Sequence, residues 1–137
     1  MPAEAFFDTN ILLYAGSSAE ADAAKQRIAQ DLLLNVPFAQ SAQVLQEYIA
    51  NALGKKSLGL TEENIRALLD FIDQIEVQPI NKELVIPACQ LRLRYQVSHW
   101  DATILAAGIK LGCKILCTED LTHGQDYGGI RVFNPFL

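Results

Sequence analysis

Ten residues near the start constrain this chain more than any other stretch. Ala5, Phe6 and Phe7 are a short apolar run that reads as a buried strand. Asp8, Thr9 and Asn10 then present a carboxylate, a hydroxyl and an amide in consecutive positions. Ile11, Leu12, Leu13 and Tyr14 return at once to apolar character. A strand that ends in Asp8 and turns into a helix puts the carboxylate at the carboxyl edge of a sheet, where open α/β folds bind their ligands. Set flush against Phe6-Phe7 and Ile11-Leu12, this acid is expected to be partly buried. A buried carboxylate without a cation or a donor is costly.

The rest of the chain alternates helical and strand signals. Thr9 or Asn10 is expected to cap a short helix through Tyr14 that Gly16 ends, and Ser17 or Ser18 to start a second. Ala21, Ala24, Ile28 and Leu32 give that second helix its apolar face, and Pro37 follows its end. Phe38-Ala39 reads as a short strand. From Ser41 onward, Val44, Leu45, Tyr48, Ile49, Ala52 and Leu53 form one stripe, with Glu47 just outside its edge. Thr61 caps a helix carrying Ile65, Leu68, Leu69 and Ile72. Residues 76–80 read as a strand with Pro79 near its end. Asn81 caps a further helix, in which Pro87 predicts a kink or a break. Ser98 opens the last helix and Gly112 stops it, and residues 114–118 and 130–133 are strands. Strands separated by helices pair in parallel and carry helices on both faces. The expected class is α/β, a three-layer α/β/α sandwich over a short parallel sheet, with residues 1–137 as a single domain.

Composition narrows the function. Of 137 residues, 50% are hydrophobic and 20% charged, a soluble globular balance. No apolar run reaches the ~18 residues of a membrane span, and the N-terminus lacks a basic region followed by an apolar core. The expected location is the cytoplasm, with no membrane partner. Cys89, Cys113 and Cys117 lie in apolar segments without CxxC spacing, so buried free thiols are expected. His99 and His123 are assigned packing or surface roles. A net charge of −5 argues against a protein that simply coats nucleic acid. It leaves room for an acidic pocket holding cations, whose bound ions reverse the local charge.

Four acids stand where secondary structure changes or beside an apolar stripe: Asp8, Glu47, Asp101 and Asp120. If the strands before Asp8 and Asp120 are parallel neighbours, both acids emerge on one edge, and helices over it can bring in Glu47 and Asp101. Each has a plainer reading: a cap for Asp8, a solvated flank for Glu47, half of a capping box for Asp101, a turn for Asp120. A cluster of three or four carboxylates stays ionised only around cations, and hard ions such as Mg²⁺ or Mn²⁺ suit oxygen ligands. Such ions activate water against a phosphodiester.

The stretches from Phe7 to Ala15, Ser41 to Glu47, His99 to Ala107 and Thr118 to Leu121, taken in order, resemble PIN domains. The likeness is greatest to the VapC-type toxins of bacterial toxin–antitoxin pairs, and it extends through Phe133-Asn134-Pro135-Phe136. It implies a PIN-like fold and a metal-dependent endoribonuclease that hydrolyses cellular RNA, such as tRNA or rRNA. The family's acidic quartet falls on Asp8, Glu47, Asp101 and Asp120, which would be both catalytic and metal-binding, with Mg²⁺ or Mn²⁺ as cofactor. Thr9, Asn10, Ser41 and Thr118 match supporting polar positions, and Glu119 is held as an auxiliary acid beside Asp120. The resemblance also implies a homodimer and a VapB-like antitoxin whose basic tail fills the acidic groove. Two other readings compete. A phosphatase with Asp8 as nucleophile usually wants a second Asp at position 10, where this chain has Asn10. A silent PIN-like module that binds RNA or protein has no need of all four acids.

Overall fold

The period-two alternation of a strand divides the core of this protein in two. The computed structural model describes residues 3–137. Five short strands, β1 (Ala5–Phe7), β2 (Phe38–Ser41), β3 (Val77–Gln78), β4 (Ile115–Cys117) and β5 (Arg131–Phe133), form one sheet in the order β3-β2-β1-β4-β5. Every pairing is parallel. Phe6, Ala39, Leu116 and Val132 point to one face, and Ala5, Phe7, Phe38 and Cys117 to the other.

Six helices cover the two faces: α1 (Thr9–Gly16), α2 (Ala23–Asn35), α3 (Ala42–Gly54), α4 (Glu62–Ile72), α5 (Lys82–Tyr95) and α6 (His99–Lys110). The first face packs Val44 and Tyr48 of α3, Leu84 and Ala88 of α5, and Leu105 of α6. The second packs Ile11 of α1, Ala29 of α2 and Ile72 of α4, with the Phe7 and Phe38 rings stacked at 4.5 Å. The result is the expected three-layer α/β/α sandwich. Residues 102–108 of α6 are all buried, which its small side chains permit. At Gly108 an added Cβ would lie 2.6 Å from Ile130 Cδ1, so the helix packs closely on the side chain just before β5.

The order of the strands positions the site. From β1 the chain builds outward through β2 to β3, then returns to lay β4 and β5 on the opposite side of β1. The reversal falls between β1 and β4, and the crevice at their carboxyl ends is the switch point where such sheets bind ligands.

Several local expectations give way to tertiary context. Asp8 itself caps α1, its side chain accepting from Thr9 N at 2.7 Å, in place of Thr9 or Asn10. Ser17 does not open α2. Its hydroxyl donates to Asp22 Oδ2 at 2.9 Å, a 3₁₀ turn spans Glu20–Asp22, and α2 begins at Ala23. The α3 stripe is shifted, with Gln43 buried while Leu53 is 66% exposed. Cys113 and Cys117 are buried free thiols, and burial pushes both up to about 11. Cys89 is exposed, because α5 buries only Leu84 and Ala88.

Pro87 neither breaks nor ends α5, which runs from Lys82 through Tyr95. Proline removes the N–H that would serve the carbonyl four residues back, that of Glu83. Lys110 Nζ donates to this carbonyl at 3.4 Å, so α6 meets part of the deficit. Restoring the helical bond should therefore help. Pro87→Ala is expected to stabilise the protein by roughly 1–3 kcal/mol in urea unfolding. Unchanged or lower stability would show that the ring's packing outweighs the lost bond.

Candidate active site

Parallel pairing of β1 with β4 aligns Phe7 with Cys117, so the next residue of each strand, Asp8 and Thr118, stand side by side at the sheet edge. The Asp8 amide extends the ladder by donating to Cys117 O at 3.0 Å. Thr118 Oγ1 donates to Asp8 Oδ2 at 2.7 Å, while Thr9 N donates to Asp8 Oδ1 at 2.7 Å. Thr118 Oγ1 also accepts from Asn10 Nδ2 at 3.2 Å and from Asp120 N at 3.1 Å. A hydroxyl has one proton and two lone pairs, and here all three are in use.

The other acids arrive on separate elements. Glu47, on α3, is held from both sides: Thr9 Oγ1 donates to its Oε2 at 2.7 Å and Gln43 Nε2 to its Oε1 at 3.1 Å. Asp120, in the turn after β4, accepts from Asn10 Nδ2 at 3.1 Å. Asp101 occupies the first turn of α6, where its amide donates to the Ser98 cap at 3.0 Å. All four carboxylates line one cleft of about 350 Å³, together with Thr9, Asn10, Asn51, Lys55 and Trp100. A larger cleft of about 430 Å³ between α5 and α6 has a mostly apolar lining and holds none of these acids. Volume alone does not mark the site; the convergence of acids does.

The supporting residues divide. Thr9, Asn10 and Thr118 bond directly to the acids. Ser41 sits apart from the cleft lining, and its hydroxyl caps α3 by accepting from Val44 N at 3.2 Å. It aims the helix that bears Glu47. Glu119 also lines the cleft, yet both its oxygens are engaged: Tyr14 Oη donates to one at 2.6 Å and Lys25 Nζ to the other at 2.9 Å. Lys25 lies 4.7 Å from the centre of the Tyr14 ring. This clasp ties the turn after β4 to α1 and α2.

Three contributors were not singled out from sequence. Gln43 links α3 to α6, its Nε2 donating to Trp100 O at 3.1 Å while its Oε1 accepts from Thr103 Oγ1. Its i, i+4 spacing from Glu47 is a visible signal. Tyr14 and Lys25 carry no comparable one, since their partner is about a hundred residues away.

Electrostatics give the cleft its character. Burial is the largest influence on Asp8, which is 4% exposed. Its bonds to Thr118 and Thr9 pull the other way, the charges of Asp120 and Glu47 push up, and the carboxyl lies at about 7. Asp101 is also raised, by burial first and then by Asp120 and Glu47. Among the described residues no three His, Cys, Asp or Glu are grouped as a ready-made ligand set, so the carboxylates surround the cleft without meeting at a point. The donors nevertheless fit a hard cation. They are all oxygen, the charges of Asp120 and Glu47 raise the proton affinity of Asp8 and Asp101, and Asn10 Oδ1 is buried without a partner.

A family model described as PIN domain matches residues 5–124. Solved structures with the same fold include a toxin–antitoxin complex from Klebsiella pneumoniae, at 22% identity and a TM-score of 0.67, covering 96% of this chain and 97% of that one. DNA-bound VapBC from Salmonella typhimurium is 21% identical with a TM-score of 0.66, covering 95% and 96%. VapC20 from Mycobacterium tuberculosis, described as a sarcin-ricin loop cleaving toxin, is 21% identical with a TM-score of 0.62, covering 82% and 86%. Comparison with curated proteins returns no match. At these identities the structural likeness is one of fold.

A carboxyl raised from 3.8 to about 7 favours the folded state where it stays protonated and loses that contribution as pH climbs through the folded value. In metal-free buffer, stability is expected to fall between about pH 4 and pH 7 by a few kcal/mol from this group. Asp8→Asn should flatten that slope. Absolute stability is a poorer readout, because an amide at position 8 can accept from only one of its two donors, Thr118 Oγ1 and Thr9 N. Identical pH slopes for the two proteins in chelator, measured by urea unfolding, would refute the burial argument.

Proposed function

The chain belongs to the PIN-domain family, and on that footing we propose that it is a metal-dependent endoribonuclease and the toxin of a toxin–antitoxin pair. The observation that carries this reading is the convergence on one cleft of four carboxylates from four places in the chain, at the sheet's switch point. In this reading Asp8, Glu47, Asp101 and Asp120 hold Mg²⁺ or Mn²⁺. Once bound, such an ion supplies positive charge that acidifies water and stabilises the leaving oxygen of a phosphodiester.

The chain's own side chains do the positioning. Thr118 and Thr9 fix both oxygens of Asp8, Thr9 and Gln43 fix both of Glu47, and Asn10 orients Asp120. Little side-chain freedom remains to be lost on binding, and such pre-organisation favours catalysis. The substrate is cellular RNA, with tRNA or rRNA the expected class, and two supporting parallels are the toxin–antitoxin complex and the sarcin-ricin loop cleaving toxin that share the fold. An antitoxin with a basic tail complements both the acidic cleft and the net charge of −5. A homodimer completes the proposed assembly.

The purified protein should cut RNA with Mg²⁺ or Mn²⁺ present and stop in chelator. Thr118→Val, which keeps the shape but removes the donor to Asp8, should cost about 10–100-fold in rate. Asp8→Asn should cost more than that, with the fold intact by circular dichroism. Wild-type cleavage by Asp8→Asn would sink the assignment.

A further inference from the structure

Of the four carboxylates, Asp120 has the least regular backbone beneath it. Asp8 joins β1 to α1, Glu47 lies within α3 and Asp101 within α6. Asp120 belongs to a bend at residues 119–121, outside any helix or strand. Its amide donates to Thr118 Oγ1 at 3.1 Å, and its Oδ2 accepts from Asn10 Nδ2 at 3.1 Å in a bond open to solvent. Loop backbone moves more readily than the elements it connects. A side chain that must meet others around one ion needs that backbone fixed. Thr118, fully buried and bonded to Asp8, fixes the bend from the strand side.

The side chain of Glu119 supplies a second anchor, between the strand end and Asp120. Lys25 Nζ donates to Glu119 Oε2 at 2.9 Å and to Tyr14 Oη at 3.2 Å, and Tyr14 Oη donates to Glu119 Oε1 at 2.6 Å. The three groups close a ring that joins the bend to α1 and α2. Phe136 backs it, its ring meeting that of Tyr14 edge-on at 5.1 Å. Lys25 Nζ lies 4.7 Å from the centre of the Tyr14 ring and 5.5 Å from that of Phe136. With side chains 39% and 24% exposed, the Lys25–Glu119 ion pair alone would contribute little to stability. Its value is geometric, because both carboxylate oxygens are held and the residue that bears them adjoins Asp120. The same ring occupies Glu119. An ammonium 2.9 Å away meets its charge and repels a second cation from that carboxylate.

We propose that Tyr14 and Lys25 are positioning residues, which act through Glu119 to hold Asp120 where it meets the cation. Glu119 is then a strut and not a ligand. This deepens the metal-dependent reading and rests on it. The competing role for Glu119 is a ligand in reserve, a carboxylate held back by Lys25 that joins the cation once released. That role calls for a change of opposite sign when the ring is opened.

The full chain is titrated with Mn²⁺ in the absence of RNA, with free Mn²⁺ read by electron paramagnetic resonance. Tyr14→Phe keeps the ring against Phe136, and Lys25→Met keeps the stem over both rings, so circular dichroism should be unchanged. Together the two substitutions should weaken Mn²⁺ binding about 10-fold. Lys25→Met alone should lose part of this, and Lys25→Arg should stay close to wild type. On a Glu119→Ala background the pair should change nothing further, since both act through that carboxylate. RNA cleavage by the double variant should recover as Mn²⁺ is raised, which a general loosening of the fold would not produce. Tighter Mn²⁺ binding by the double variant overturns the proposal in favour of a reserve ligand, and an unmoved affinity overturns it outright. So does a full further loss on the Glu119→Ala background. The two readings fail separately. Mn²⁺ binding that depends on the ring, in a wild type that cuts no RNA, costs the nuclease reading alone. RNA cleavage with equal Mn²⁺ affinity in wild type and double variant costs the positioning role alone.

Discussion

The hydrogen bond from Thr118 to Asp8 is the interaction on which the site rests. It exists only because β1 and β4 pair in parallel with Phe7 opposite Cys117. A slip of one residue would turn every side chain of the strand to the other face and separate the two groups. The same hydroxyl takes Asn10 and the Asp120 amide on its lone pairs, so strand, helix and turn are joined at one atom. Thr118 and Asp8 lie 110 residues apart along the chain. Forming their bond requires a long loop to close, and contacts of such sequence separation slow folding.

Burial both builds this centre and opposes it. Phe7, Ile11 and Leu12 are fully buried, and they bring Asp8 in with them. Its two donors and its place at the positive end of α1 favour the carboxylate, yet desolvation outweighs them. An acid so placed works against the stability of the protein that carries it. Strain of this kind is common where binding or catalysis needs a group poised to change state. The surrounding frame of parallel strands and the close-packed α6 can bear the cost.

Much of the architecture is legible in the sequence because its signals are local. Thr61, Asn81 and Ser98 each accept a bond from the amide three residues on, so their caps are set within one turn of helix. The apolar runs before Asp8 and Asp120 mark the central strands, and acids at strand ends lie on one edge whenever the strands are parallel. Distant contacts defeat the same reasoning. Ser17 is diverted by Asp22, Glu83 O finds a donor on another helix, and Cys89 faces solvent although Ala88 beside it is buried. The engagement of Glu119 by Tyr14 and Lys25 is invisible in one dimension. Gln43 is an intermediate case, with its spacing from Glu47 in plain view and its bond to α6 hidden.

That last bond sets the geometry of the mouth. Thr9 holds Glu47, Glu47 is held by Gln43, and Gln43 reaches the Trp100 carbonyl, so a chain of hydrogen bonds runs from α1 through α3 to α6. Helices α3 and α6 are joined here by the reach of one glutamine side chain, as by a gauge block. A residue one methylene shorter at position 43 could span the gap only by drawing the helices together. Two residues that line the cleft, Glu47 and Trp100, are thus held by a side chain that itself stays buried behind the wall.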